Sequence, residues 1–332
     1  MDMVNIGVIG CGSMAKDLAR RCVNMGRARI VAVSDPSPEA LAIAKSEFNT
    51  DAVADFEELC QRADVDAVII GSPPAAHLEN VLAAAANKKS IYCEKPLGVS
   101  VAECDRMIEA CKQAGVQLFV GQVLRLFPFM WHTHQLLKSG ELGTARAVAI
   151  TRTGYSSLFH SGWRTQRAYT GGLLLEINAH ELDYMRFLLG EPVEVYARTD
   201  NIFGRMDYED QAFVLISFEN GGSGCLHSSL SSPVGEYRMH IQATRGNITH
   251  GGFGGTLQYK TVDGKGEEIR LADLPSTNPY NRELDSWLDS ITLGTEPLFT
   301  GEDGRAAVAM AEAAYRSAEE GRPVKIAELS GR

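Results

Sequence analysis

Two short stretches of the sequence set proton-handling and charged side chains where an ordinary chain would turn away or stay apolar. In SIYCEKPLG, Glu94 and Lys95 follow the apolar run Ile91-Tyr92-Cys93 and stand directly before Pro96. A proline fixes its own backbone and restricts the residue before it, so Lys95 is held in place, which a solvated ammonium does not need. In GGLLLEINAHELD, Glu176, His180 and Asp183 fall at i, i+4 and i+7, within about 60° on a 3.6-residue helix. The pattern predicts one helix from the glycines 171 and 172 to Gly190, largely apolar and therefore buried. Acids and an imidazole on a buried face need partners or work. A neutral imidazole with an unperturbed pKa near ~6.5 suits a general base. An ammonium stabilises a developing alkoxide, and a neighbouring carboxylate, Glu94 or Glu176, sets the local field. That chemistry suits oxidation of an alcohol, given a hydride acceptor. Whether Lys95 or His180 carries the proton stays open.

The hydride acceptor is announced by GVIGCGSMA, which places Gly10, Gly12 and Ala15 after the first strand and at the start of a helix. The first glycine allows a tight turn, the second lets backbone approach a pyrophosphate, and the small third residue permits close helix–strand packing. From Ser13 and Met14 onward the helix N-terminus offers N–H groups and a positive dipole end to phosphates. Asp35 closes the second strand, RIVAVSD. A carboxylate there accepts hydrogen bonds from the adenosine ribose and repels a 2′-phosphate. No arginine follows it in DPSPEA, so NAD is expected and NADP disfavoured. GSPPAAHLEN follows the strand AVII and opens a helix. Ser72, Pro73 and Pro74 there shape a rigid crevice wall at the carboxyl end of the sheet, with His77 in the first helical turn as a further cofactor-binding candidate.

The elements that must hold these residues divide in two. Up to about residue 120, strands (NIGVIG, IVAVSD, DAVIIG, SIYCEK, QLFVG) alternate with helical patterns at 13–25, 37–48, 55–62, 75–88 and 100–114. Strict alternation means right-handed βαβ units and a doubly wound parallel sheet. Beyond residue 122, ARAVAITRT, VEVYARTD, QAFVLISF, GCLHSSLS, YRMHIQAT and TLQYKT succeed one another, as in a mostly antiparallel sheet. QAFVLISF is apolar on both alternating faces, so both faces of that sheet are expected to be covered, one by helices and one by a second subunit. The expected organisation is a dinucleotide-binding domain over 1–121, a substrate and oligomerisation domain over 122–300, and a C-terminal helix and tail over 301–332 returning to the first domain. The fold class is α/β with a C-terminal α+β domain.

Composition narrows the partners. The 332 residues carry a formal net charge of -10 and no run of five Lys or Arg, against a nucleic-acid or membrane-surface role. The N-terminus lacks the basic and apolar regions of a secretory signal, and no apolar stretch has the length of a membrane span. Seven dispersed cysteines without a C-x-x-C suit reduced thiols in a cytoplasmic protein.

These motifs, with SPPAAHLENVLAAAANKKSIYCEKPLGVS, SGELGTARAV, GWRTQRAYTGGLLLEINAHELDYMRFLLGEP and TGEDGRAAVAMAEAAYRSAEEGRPV, resemble the glucose–fructose oxidoreductase/inositol dehydrogenase/rhizopine-catabolism (Gfo/Idh/MocA) oxidoreductases over nearly the whole chain. The resemblance implies a Rossmann domain, an open-sheet C-terminal domain and sheet-mediated homodimers or homotetramers. It implies that Lys95 stands beside the nicotinamide and the substrate, with a cis peptide before Pro96. It further implies an acid and a histidine, here Glu176 and His180, working beside that lysine. Arg125, Trp163 and Arg164 stand where members contact substrate or cofactor. The chain departs from the pattern with glutamate at 176 in place of aspartate, and with Asn178 where glycine is common. The implied activity is NAD-dependent oxidation of a ring hydroxyl of a sugar or cyclitol.

Three rival readings remain distinct. Redox-neutral cleavage of a glycoside would use the same groups to oxidise a sugar carbon transiently, acidify its neighbour and eliminate. A metal site would use Glu176, His180 and Asp183 with His132, His134 or His160, but no second cluster has ligand spacing, and no metal is expected. Some members of the family are NAD-sensing transcriptional co-regulators, which tend to lose the lysine or the histidine. Both are present here.

Overall fold

A computed structural model describes residues 3–329. The chain forms two compact units. One takes the chain up to Gln122 together with Tyr280–Arg305, and the other Val123–Pro279 with the chain from Ala306 onward.

The first unit alternates β1 (Val4–Ile9), α1 (Ser13–Asn24), β2 (Ala28–Ser34), α2 (Pro38–Phe48), β3 (Asp51–Val53), α3 (Phe56–Gln61), β4 (Ala67–Ile70), α4 (His77–Ala86), β5 (Ser90–Cys93), α5 (Val101–Ala114) and β6 (Leu118–Val120). The strands lie in the order β3-β2-β1-β4-β5-β6, every pair parallel. This is the doubly wound Rossmann order, whose direction reverses between β1 and β4. All four residues of β4 are buried, as a strand covered on both faces requires. The helices start at side-chain caps where the sequence supplies them. Ser37 accepts from Ala40 N–H and Ser100 from Glu103 N–H, while Gly115 ends α5 at φ 69°.

In the second unit, α6 (Pro128–Lys138) and β7 (Ala145–Thr153) lead to three short helices, α7 (Arg167–Thr170), α8 (Leu173–Glu176) and α9 (Ala179–Leu189). Then come β8 (Pro192–Asp200), β9 (Gln211–Phe218), β10 (Ser223–Ser229), β11 (Glu236–Ala243), β12 (Gly246–His250), β13 (Thr256–Thr261) and β14 (Gly266–Arg270). The chain closes with α10 (Pro279–Leu293), α11 (Gly301–Glu320) and β15 (Val324–Lys325). The nine-stranded sheet runs β14-β13-β12-β11-β7-β10-β9-β8-β15. It is antiparallel except for β7 against β10, a pair separated in sequence by α7 to β9.

Two expectations need correction. The return to the first unit is made by residues 280–305, not by the tail. Trp287 of α10 meets Tyr92 edge-on at 5.5 Å, and Phe299 meets Phe119 at 5.6 Å, aromatic pairs worth about 0.5–1.5 kcal/mol each beyond their buried area. From Ala306 the chain belongs with the second unit, where Val324 pairs with Val195. The helix expected from Gly172 to Gly190 is broken at Ile177 and Asn178, between α8 and α9. Within the chain the sheet is covered on one face, and the other is the face expected to meet a second subunit. In β9, Ala212, Val214, Ile216 and Phe218 are buried, whereas Phe213 and Leu215 are 47% and 54% exposed.

Candidate active site

The first unit builds a nucleotide cradle at the carboxyl ends of its strands. Gly10 adopts φ +83°, and a Cβ there would lie 2.5 Å from Ser72 N, so only glycine lets the β1 and β4 loops meet. Gly12 caps α1 without any side-chain hydrogen bond, leaving the first N–H groups of a twelve-residue helix to an outside acceptor. Ser13 and Met14, the first residues of that helix, are exposed. Both oxygens of Asp35 are already engaged, Oδ2 by Cys11 N–H at 2.7 Å and Oδ1 by Ser37 N–H at 2.8 Å. A carboxylate has about four lone-pair sites, so ribose hydroxyls can still be accepted.

Ser72 donates to Asn80 Oδ1 at 2.7 Å, and Pro73 precedes a single 3-10 turn. His77 departs from the sequence expectation. Its ring is buried, with Nε2 2.9 Å from Ser72 O and Nδ1 2.9 Å from Pro96 O. The ring lies between the Ser72 loop and the loop that carries Lys95, and in its neutral form it donates to one of them. Burial holds the imidazole pKa below its ordinary value, against the carbonyls of Ser72, Pro96 and Leu97, which raise it.

The Lys95–Pro96 peptide is cis, and Lys95 is half-buried at the carboxyl end of β5. Beside it, Glu94 Oε2 accepts from Lys95 N–H at 3.1 Å. Burial pushes the Glu94 carboxyl up to about 7, opposed by the Lys95 charge, that backbone bond and Tyr92. Glu94 is only partly shielded from solvent, but its carboxyl is turned inward. A Cβ on Gly121 would stand 3.3 Å from both of its oxygens and 2.8 Å from the Tyr92 hydroxyl. Tyr92 in turn donates to Glu283 of α10 at 3.0 Å.

The second unit gathers the other candidates into three ion-paired groups. Arg164 donates from Nε to Glu176 Oε1 at 3.1 Å and stacks on Trp163 with its guanidinium carbon 4.2 Å from the ring centre. Arg125 grips Asp183 with two nitrogens, Nε at 2.7 Å, over the ring of Phe187. Asp183 is fully buried, so it anchors Arg125 and does not share a face of chemistry with Glu176. Asn178 is also fully buried; its Nδ2 turns back at the start of α9 to Glu181 Oε2 at 3.1 Å. The amide proposed from sequence for substrate contact is therefore an internal brace. His180, in the first turn of α9, is half-buried.

Sequence reasoning missed Glu181, the hub of the third group. It is fully buried and accepts from Arg152 at 2.8 Å and Tyr237 at 3.0 Å besides Asn178. Nothing local marks it beyond its place next to His180. His134 stacks on Phe187 at 4.3 Å and His160 on Tyr155 at 4.8 Å. Among the described residues, no three His, Cys, Asp or Glu are grouped as metal ligands, and no helix is long and apolar enough to cross a membrane.

Comparison with known proteins agrees with this architecture. Residues 4–122 match the oxidoreductase family's NAD-binding Rossmann fold, and residues 134–326 match its C-terminal alpha/beta domain. The chain belongs to the Gfo/Idh/MocA oxidoreductase family. Within it, the chain is 32% identical over 377 residues to 2,7-anhydro-N-acetylneuraminate hydratase of Mediterraneibacter gnavus, covering 100% of this chain and 99% of that protein. It is 30% identical over 342 residues to myo-inositol 2-dehydrogenase of Thermotoga maritima, covering 99% and 100%. Among solved structures, aldose-aldose oxidoreductase from Caulobacter crescentus superposes with a TM-score of 0.87 at 28% identity, covering 98% of this chain and 100% of that one.

Proposed function

We propose that this protein is an NAD-dependent dehydrogenase of a sugar, sugar derivative or cyclitol, acting on a ring CH–OH group. The observation that carries the reading is the carboxyl edge of the parallel sheet, where the Gly10–Ala15 cradle, the Ser72 wall and the Lys95 loop follow β1, β4 and β5. The cradle fits a dinucleotide because Gly10 and Gly12 admit close backbone approach and α1 opens without a cap. Gly10, Gly12, Ser13 and Met14 would hold the pyrophosphate, Asp35 the ribose, and Glu94 and Lys95 the nicotinamide side. When bound, the nicotinamide supplies the hydride acceptor.

The protein's own residues handle the proton and the charge. As the carbinol C–H leaves with its electron pair, the O–H proton passes to a base and a carbonyl forms. His180 and Lys95 are the pair assigned to that task, one receiving the proton and the other stabilising negative charge on oxygen. Glu176, neutralised by Arg164, sets the field beside His180, and Trp163 and Arg164 offer a flat cationic surface to substrate.

The hydratase relative favours a second reading from the same groups. Transient oxidation beside a C–O bond would acidify a C–H and drive elimination or hydration without net NADH. Screening polyols, cyclitols and glycosides with NADH absorbance plus product analysis separates the two. Lys95→Ala and His180→Ala should each cut turnover at least ~100-fold with NAD affinity nearly unchanged. Unaltered turnover in Lys95→Ala would overturn the assignment.

A further inference from the structure

We propose that Glu209 and Tyr315 are positioning residues of this enzyme, a clamp on the start of α8 that sets where Glu176 stands. The inference rests on the proposed role of Glu176 for its catalytic consequence, but not for the clamp itself. A helix of four residues cannot hold its own geometry, because nucleating a turn is unfavourable. Its first amides have no partner within it. Here three amides at its start are caught from outside: Gly172 N–H by Thr170 Oγ1 at 3.0 Å, Leu173 N–H by Glu209 Oε1 at 3.0 Å, and Leu174 N–H by the Tyr315 hydroxyl at 2.8 Å.

The two distant acceptors form one assembly. Arg167 joins them: it pairs with Glu209 while lying over the Tyr315 ring at 4.7 Å. Glu209 is 6% exposed, so the charge of Arg167 is what makes a buried carboxylate tolerable there. Gly172 is required on two counts. It sits at φ +104°, and a Cβ would lie 2.6 Å from the Tyr315 hydroxyl and 2.9 Å from Glu209 Oε1. Burial of Leu173, Leu174 and Leu175 fixes how deep the turn lies. Apolar contact is non-directional, so the hydrogen bonds fix its rotation, and with it the direction in which Glu176, two residues on from Leu174, meets Arg164.

Hydrogen exchange on the full-length protein tests the clamp without any substrate. In Tyr315→Phe, amides of residues 172–176 should exchange roughly tenfold faster, as for one lost hydrogen bond, while those of β9 and β10 stay as in the wild type. Glu209→Gln keeps an acceptor for Leu173 and should change exchange less than Glu209→Ala. On the substrate found by the screen, Tyr315→Phe should lower kcat about tenfold and leave the KM for NAD unchanged, with Glu209→Gln retaining more activity than Glu209→Ala. Unchanged exchange at 172–176 overturns the clamp. Faster exchange with unchanged kcat overturns the positioning role. If no alcohol is oxidised by the wild type, the functional reading fails, and exchange alone still decides the clamp.

Discussion

Replacing Asp35 should change which dinucleotide the protein prefers, and the charge of its carboxylate sets the size of the change. A 2′-phosphate of charge about -2, placed about 5 Å from the carboxylate at an effective dielectric of roughly 20 to 80, is repelled by roughly 2–4 kcal/mol once surface screening is allowed for. That corresponds to about 30- to 1,000-fold discrimination against NADP. Removing the charge should erase most of it. The same carboxylate also holds Cys11 N–H and Ser37 N–H at 2.7 and 2.8 Å, so Asp35→Ser loosens the cradle as well. NADH affinity should fall about tenfold, the order expected for one or two lost charge-assisted bonds partly replaced by water. Asp35→Asn separates the two effects. It removes the charge but has one carbonyl oxygen for two N–H donors. It should relax discrimination as much as serine does, with NADH affinity falling and NADPH affinity rising above that of the wild type, because the lost repulsion exceeds the loosening. Titrating nicotinamide fluorescence with NADH and NADPH for the three proteins measures all of this. Equal affinities in the wild type, or an unchanged NADH/NADPH ratio in Asp35→Ser, would refute the reasoning.

Other predictions draw on different parts of the fold. Glu94 has its folded pKa raised to about 7, so its contribution favours folding below the unfolded carboxyl value and is lost as pH rises through about 7. Glu94→Gln should therefore gain Tm over wild type between about pH 5 and 8 and gain nothing near pH 4; parallel Tm profiles would count against it. For the buried Arg125–Asp183 pair, Asp183→Ala should cost about 3–5 kcal/mol, and the double variant Arg125→Met, Asp183→Leu distinctly less. Denaturant titration reads both, and a loss under about 1 kcal/mol in Asp183→Ala would dismiss the pair as structural. The face bearing Phe213 and Leu215 is proposed as a homodimer or homotetramer interface, since burying it is worth about 25 cal/mol per Å². Leu215→Asp should dissociate the assembly in sedimentation with unchanged circular dichroism, and a wild-type monomer at micromolar concentration would end the proposal.

Local pattern determined much of this protein. The order of strands and helices up to residue 120 apart from the three-residue β3, Gly10 and Gly12 at a strand-to-helix turn, Asp35 at a strand end and Lys95 before Pro96 are properties of a few consecutive residues and their backbone preferences. They can therefore be read without knowing the fold. The pattern at 172–190 misled, because apolar spacing specifies a buried face but not whether one helix or two supplies it. At the break, Asn178 joins Glu181, Arg152 and Tyr237 in a polar group that no single segment contains. Partners distant in sequence likewise decided which charged residues are braces. Asp183 is taken by Arg125, 58 positions away, Leu174 by Tyr315, 141 away, and Tyr92 by Glu283, 191 away. Buried charges and amides must find partners wherever the folded chain brings them; the sequence marked Asp183 as needing a partner, and only the tertiary structure decided which residue would meet it, as it did for Leu174 and Tyr92.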